Sequence, residues 1–323
     1  MKNRSIHNLP LVRGLVLAPV LLGAALLIRV LAYSTPAAES DVDHQRHFTD
    51  NYKIFSLALP RELSFCGEAV PLDLLDVRER LDRELLVNTY WQSNSLLLHK
   101  RANRWFPVIS RVLAEEGVPD DLKYLALIES GLTNVVSPAG ATGYWQFLKG
   151  TAQQYGLVVN SEVDERYDVI KSTRAACRYL KDAHQRYGDW TLAAASYNLG
   201  MGGVDKQIGR QKNEDYYHLL LPEETSRYVF RILAAKEILS DPERYGFHVR
   251  EKDLYRPYRT RSMRIEGSVG DLADLAIRQG TDYRTLKLLN PWLRDNQLVN
   301  REGRSYDLLL PADGFNEGEA DAR

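Results

Sequence analysis

The chain has 323 residues, of which 44% are hydrophobic and 26% charged, and its formal net charge is −1. That is ordinary globular composition, with length for one large domain or two smaller ones and enough apolar residues for a sizeable core. The near-neutral balance excludes a globally basic surface for nucleic acid and a globally acidic, solvating chain, so the partner has to be read from local residues.

The first 32 residues read as a targeting segment. Lys2, Arg4 and Arg13 precede an apolar run from Gly14 to Ile28, closed by Arg29. The run is shorter than the roughly 20 residues that a membrane span needs and fits the core of a signal peptide. An uncleaved anchor from Leu11 to Ala32 stays open if Arg29 snorkels, as does a buried core helix. No cysteine stands near the run to carry a lipid. Export is the expectation, to the periplasm or cell envelope. Cys66 and Cys177 form no CxxC pair, so a thiolate zinc site is unsupported. Two buried thiols or one disulfide both remain open.

Residues 33–75 read as a polar linker to about residue 50, then a proline-broken lead-in. From Asp76 the apolar period becomes helical, through Val77, Leu81, Leu85 and Tyr90, with Asp76 as N-cap and Glu79 completing a capping box. A second helix is predicted from Leu96 to Glu116, stopped by Gly117 and Pro119. A third starts at Asp120 and ends near Glu129. Residues 131–143 read as loop, followed by helices at about 144–155, 168–187, 190–199 and 223–240. The predicted catalytic domain, residues 76–248, is therefore mainly α. Residues 256–312 carry strand, helix, helix, strand in order, a small α+β module. Residues 313–323 are acidic and Gly-rich and read as a disordered tail.

Glu129 is the candidate acid. It stands at the C-terminal end of a helix, where the dipole disfavours its charged form, beside apolar neighbours that add desolvation. A glutamic acid kept protonated near neutral pH can act as general acid on a glycosidic oxygen. Position alone favours a solvated terminal glutamate; the surrounding segments reverse that. In Ser137-Pro138-Ala139-Gly140-Ala141-Thr142-Gly143-Tyr144-Trp145-Gln146-Phe147, the glycines permit close ligand approach and Gln146 supplies an amide for a sugar. Trp145 is either a stacking face or core. Tyr197 and Asn198 end an apolar helix, the first able to bring a hydroxyl to the acid, the second able to pin a loop. Leu221-Pro222-Glu223-Glu224 opens another helix.

The segments ALIESGL, SPAGATGYWQFLKGTA, VDERYD, AAASYNLG and LPEETSRYV, in this order, resemble the soluble lytic transglycosylases, in the arrangement of the membrane-bound murein transglycosylase D type. The resemblance covers roughly residues 100–240 and implies a mainly α, goose-lysozyme-like (SLT) catalytic domain. It implies Glu129 as the catalytic glutamate and Ser130 as its structural neighbour. Gly143 and Gln146 stand in the Gly-Leu-Trp-Gln motif, with Tyr144 in place of the leucine. Tyr197 and Asn198 stand in the Ala-Tyr-Asn motif, with Ser196 in place of the alanine. Glu224 stands in the Glu-Thr motif, and Ser137 lines a glycan subsite. Residues 258–312 resemble a divergent LysM module, either glycan-binding or a structural cap.

The implied activity is cleavage of the β-1,4 bond between N-acetylmuramic acid and N-acetylglucosamine, with closure of a 1,6-anhydro ring. The implied partner is peptidoglycan glycan strands, with no metal, no organic cofactor and no nucleic acid, for a monomeric protein. Two rivals stay in view. A goose-type lysozyme would hydrolyse the bond and would want a second carboxylate, for which Asp164, Glu165 and Asp168 are candidates. A non-catalytic wall-binding protein would not need Glu129.

Overall fold

A computed structural model describes residues 40–51 and 54–316, which fall into two compact units divided after Ser56. The predicted leader lies outside the described residues, as does most of the predicted tail. In the first unit, helix α1 (Asp41–Asn51) forms where a linker is expected. Ser40 explains its start: its hydroxyl accepts from the Asp43 amide at 3.1 Å and donates to the Asp43 carboxylate at 2.6 Å.

The second unit opens with a two-residue hairpin, β1 (Ser64–Phe65) and β2 (Glu68–Ala69), whose Phe65 is fully buried. Glu68 beyond the turn accepts from the amides of Trp190 and Thr191 at 2.6 and 3.0 Å, which fastens the hairpin to the helical domain. Helices α2 (Leu75–Tyr90) and α3 (Gln92–Glu115) follow. The capping box at Asp76 does not form. Leu74 is the cap residue and Asp76 lies inside the first turn, paired with Arg80 one turn on. A 3-10 turn at Asp120–Leu122 leads into α4 (Lys123–Ser130), ended by Gly131 at φ +59°.

The predicted helix at 144–155 shrinks to α5 (Lys149–Gln154). Gly143 and Gln146 both have positive φ, +82° and +48°, and Thr142 and Phe147 exchange backbone hydrogen bonds across them. A left-handed residue there forbids helix. Helices α6 (Val169–Tyr187), α7 (Trp190–Leu199) and α9 (Glu223–Ser240) match their expected spans closely. Between them lies α8 (Met201–Gln211), absent from the sequence reading because glycines 202, 203 and 209 weaken its local signal. One apolar core joins these helices, with Leu81, Leu125, Leu180, Ala194 and Phe230 at its centre.

The C-terminal module is a two-stranded antiparallel ribbon, β3 (Thr260–Ile265) with β4 (Tyr306–Pro311), paired from Thr260 opposite Pro311 to Ile265 opposite Tyr306. Helices α10 (Leu272–Arg278) and α11 (Tyr283–Leu289) are capped by Asp271 and Asp282. Its core of Leu272, Leu286, Leu293, Leu308 and Leu310 also takes in Val163 and Tyr167 from the preceding domain. Cys66 and Cys177 are both free, and burial pushes both thiols up. No described helix is long and apolar enough to cross a membrane.

Candidate active site

Glu129 occupies the last turn of α4, with Leu125 and Leu127 buried beneath it. Gly131 turns the chain away, and the Ser130 hydroxyl ties the turn down by donating to the Tyr144 carbonyl at 2.8 Å while accepting from the Leu132 amide. The carboxyl is half-buried at the meeting of α4, α7 and α9 and the loop at 132–148. Burial is the largest influence on it and raises its pKa above the ordinary carboxylic value; the charge of Glu224 acts in the same direction. Two groups oppose this. Tyr228 donates its hydroxyl to Glu129 Oε1, and the Arg231 guanidinium, anchored on the Ile128 carbonyl at 3.0 Å, adds positive charge. Burial prevails, so the pKa lies above the ordinary carboxylic value.

Tyr228 is the group that sequence reasoning missed. The expectation placed the Tyr197 hydroxyl beside the acid. Tyr197 does lie close enough for the Glu129 charge, after burial, to raise its pKa, but its hydroxyl donates to the Trp145 carbonyl at 2.8 Å. The helical spacing of Glu224, Tyr228 and Arg231 was the available signal. These three share one face of α9, and that face meets α4.

The loop is built on unusual backbone. A Cβ on Gly143 would lie 1.9 Å from the Arg166 carbonyl oxygen, so only glycine fits that approach. Gln146 is held left-handed and donates its amide to the Val135 and Gly143 carbonyls at 3.0 and 2.9 Å. Ser137 accepts from the Ala141 amide at 3.0 Å and closes a tight turn. Trp145 is fully buried, its indole N–H on Thr173 at 2.8 Å, so it is core and presents no stacking face.

Asn198 ends α7 by accepting from the Thr225 hydroxyl at 2.7 Å, which fastens that end to the first turn of α9. Glu224 itself is exposed in that turn. The structure thus brings Glu129, Tyr197, Tyr228 and Arg231 together and puts Glu224 within electrostatic reach. Asn198 and Gly143 act on the frame, and Ser137 and Gln146 lie along the loop.

The carboxylates of the turn at 164–168 are all committed. Asp164 pairs with Arg166 through both oxygens, at 2.9 and 2.7 Å. Glu165 holds the Val158 amide and Lys171. Asp168 caps α6 by accepting from the Ile170 and Lys171 amides at 2.9 Å. Among the described residues no group of three or more His, Cys, Asp or Glu is placed to hold a metal.

Comparison with known proteins agrees with this architecture. Residues 107–220 match the sequence model of the transglycosylase SLT domain, and residues 261–314 that of the soluble lytic transglycosylase C-terminal LysM-like domain. Membrane-bound lytic murein transglycosylase D of Escherichia coli (strain K12) is 30% identical over 244 residues, covering 73% of this chain and 52% of that protein. A putative tributyltin chloride resistance protein of Alteromonas is 34% identical over 116 residues, covering 35% of this chain and 56% of that one. The chain therefore spans about half the length of the curated relatives it matches. The 70 kDa soluble lytic transglycosylase of Escherichia coli aligns over 47% of this chain and 26% of its own, at 22% identity and a TM-score of 0.36. Over residues 107–220 and 261–314 the chain is thus similar to a transglycosylase SLT domain followed by a soluble lytic transglycosylase C-terminal LysM-like domain.

Proposed function

We propose that this protein is a peptidoglycan lytic transglycosylase, acting in the cell envelope on glycan strands. The observation that carries the reading is Glu129: a half-buried carboxyl whose pKa is raised by burial, on a turn that Ser130 ties to the loop carrying Gln146. In the proposed reaction Glu129 gives its proton to the oxygen linking N-acetylmuramic acid to N-acetylglucosamine. The C1–O bond breaks and an oxocarbenium-like centre forms, supported by the substrate's own acetamido group. Glu129, now a carboxylate, takes the proton of the muramoyl 6-hydroxyl as O6 bonds to C1. The proton is thereby returned and no water is consumed. Desolvation suits both halves, because it favours the acid before cleavage and makes the carboxylate a stronger base after it.

Glu129 is assigned as catalytic residue. Ser137, Gly143, Gln146, Tyr197, Asn198 and Glu224 are assigned to substrate binding and its frame. The proposed domains are a leader or anchor at 1–32, a lead-in at 33–75, the catalytic domain at 76–248, a wall-binding module at 256–312 and a tail at 313–323. A hydrolase reading needs a second carboxylate to activate water, and the three acids of the 164–168 turn are engaged elsewhere. Mass analysis of digested peptidoglycan separates the two. Anhydromuramic ends are expected; reducing muramic ends in their place would sink the lytic reading.

A further inference from the structure

The C-terminal module and the catalytic loop are joined through the turn at 162–167. On the module side the joint is largely backbone. The Asp164 amide donates to the Trp292 carbonyl at 2.9 Å, and the Arg294 amide to the Glu162 carbonyl at 2.7 Å. The Val299 amide donates to the Glu162 carboxylate at 2.7 Å, and Val163 bridges Leu293 in antiparallel fashion. Side chains reinforce it. Val163 and Tyr167 are buried in the module's core, with the Arg294 guanidinium 4.0 Å above the Tyr167 ring.

On the cleft side the joint is Arg166. Asp164 grips its guanidinium, and its Nη1 donates to the Gly140 and Phe147 carbonyls, both at 3.1 Å. Those carbonyls bracket the segment holding Gly143 and Gln146. The Arg166 carbonyl is also the group against which Gly143 is pressed. A buried guanidinium with four of its five N–H donors directed is held in one pose, so the pose of the turn sets the pose of the loop.

We infer that the C-terminal module is a positioning element of the cleft: docked on the 162–167 turn, it fixes Arg166, and Arg166 fixes the Gly140–Phe147 loop. Arg166 and Glu162 are then positioning residues, and the module acts on glycan binding without having to touch the scissile bond. The inference rests on the reading of that loop as part of the glycan site. The turn also holds itself in part, since the Asn160 side chain accepts from the Glu162 and Val163 amides at 2.9 and 2.8 Å. Undocking should therefore loosen the loop rather than unfold it.

The test uses the full chain with a double substitution at the seam, Glu162→Ala with Arg294→Ala. Amide hydrogen exchange reads the loop directly, at Thr142, Gly143 and Phe147. Exchange there should quicken by about fivefold or more while the amides of β3, β4 and α9 keep their protection. On solubilised peptidoglycan, KM should rise about threefold to tenfold with kcat within about twofold, the signature of lost ground-state binding. Glu162→Gln keeps an acceptor for Val299 and should stay within about twofold of the parent in both readouts. Unchanged loop exchange in the double variant overturns the inference, as does quickening spread uniformly over the domain. Exchange needs no turnover, so a parent protein inactive on peptidoglycan would overturn the proposed function and leave the coupling result to stand or fall by itself.

Discussion

The turn at 164–168 and the cleft at Glu129 both bring carboxyl groups out of bulk water, on opposite electrostatic terms. In the turn every carboxylate has a donor matched to it: Arg166 for Asp164, Lys171 and an amide for Glu165, two helix-start amides for Asp168. In the cleft Glu129 has one phenolic hydroxyl and a guanidinium whose nearest anchor is a carbonyl. Donors aimed at a carboxylate commit its oxygens to the frame, which is structural. Desolvation without full compensation leaves a proton that can be given up and retaken, which is chemical. The two regions lie close in sequence, so partners and not composition decide which acid can work.

The largest effect expected from that contrast is at Glu129. Glu129→Gln keeps the shape and removes the titrating proton. Peptidoglycan turnover should fall at least about a thousandfold, some 4 kcal/mol of transition-state stabilisation. Stability should move the other way at neutral and higher pH. The folded pKa is raised above 4.5, so the ionised group is disfavoured in the folded state. Its contribution is fully present below the unfolded value and is lost as pH rises through the folded one. An uncharged glutamine escapes that loss, so the variant should melt at or above the parent temperature at pH 8. Retained muropeptide release would break the comparison outright.

Next in size is the opposite kind of acid. Asp164→Asn leaves the Arg166 guanidinium, whose side chain is 11% exposed, without its anion. Removing one partner of a buried pair costs about 3–5 kcal/mol, so denaturant unfolding should show a large loss. The pH profile of whatever activity remains should keep its shape, because both oxygens of this carboxylate are held by Arg166.

Tyr228→Phe sharpens the cleft side. The hydroxyl stabilises the Glu129 anion and so lowers its pKa. Deleting it should raise the pKa further. Activity that requires the acid form is lost as pH rises through that value, so the alkaline limb of kcat/KM should move to higher pH. A limb moving downward would mean that Tyr228 supports the protonated form instead.

How much of this was legible in the sequence differs between the same two regions. Helices α6, α7 and α9 could be read because apolar periodicity is a local signal. Glu129, Gly143 and Gln146 could be read because motifs of fixed spacing carried them. Helix α8 could not, since three glycines mask a helix whose stability comes from burying Val204. The short α5 could not either, because left-handed backbone at Gln146 is imposed by contacts with Val135 and Gly143. The pairing of Tyr228 with Glu129 joins residues far apart in sequence and exists only once α9 meets α4. Arg166 offered no signal beyond its place in a charged turn, and its role depends on carbonyls at 140 and 147.

The smallest expected effect is the most useful for separating lyase from hydrolase. Asp168 is partly buried and its pKa is raised, by desolvation first, although two amides and Lys171 oppose this. On pKa alone it resembles Glu129 and could pass for the second acid of a hydrolase. Geometry sets it apart, because its Oδ1 accepts both amides that start α6. Asp168→Asn keeps a side-chain acceptor at the N-cap and removes the buried charge, so stability should change by less than about 1 kcal/mol. Activity on glycan strands should stay within about twofold, since no transition-state contact is removed. A fall of tenfold or more with the fold intact would make Asp168 a working carboxylate. The turn and the cleft would then be two halves of one catalytic pair.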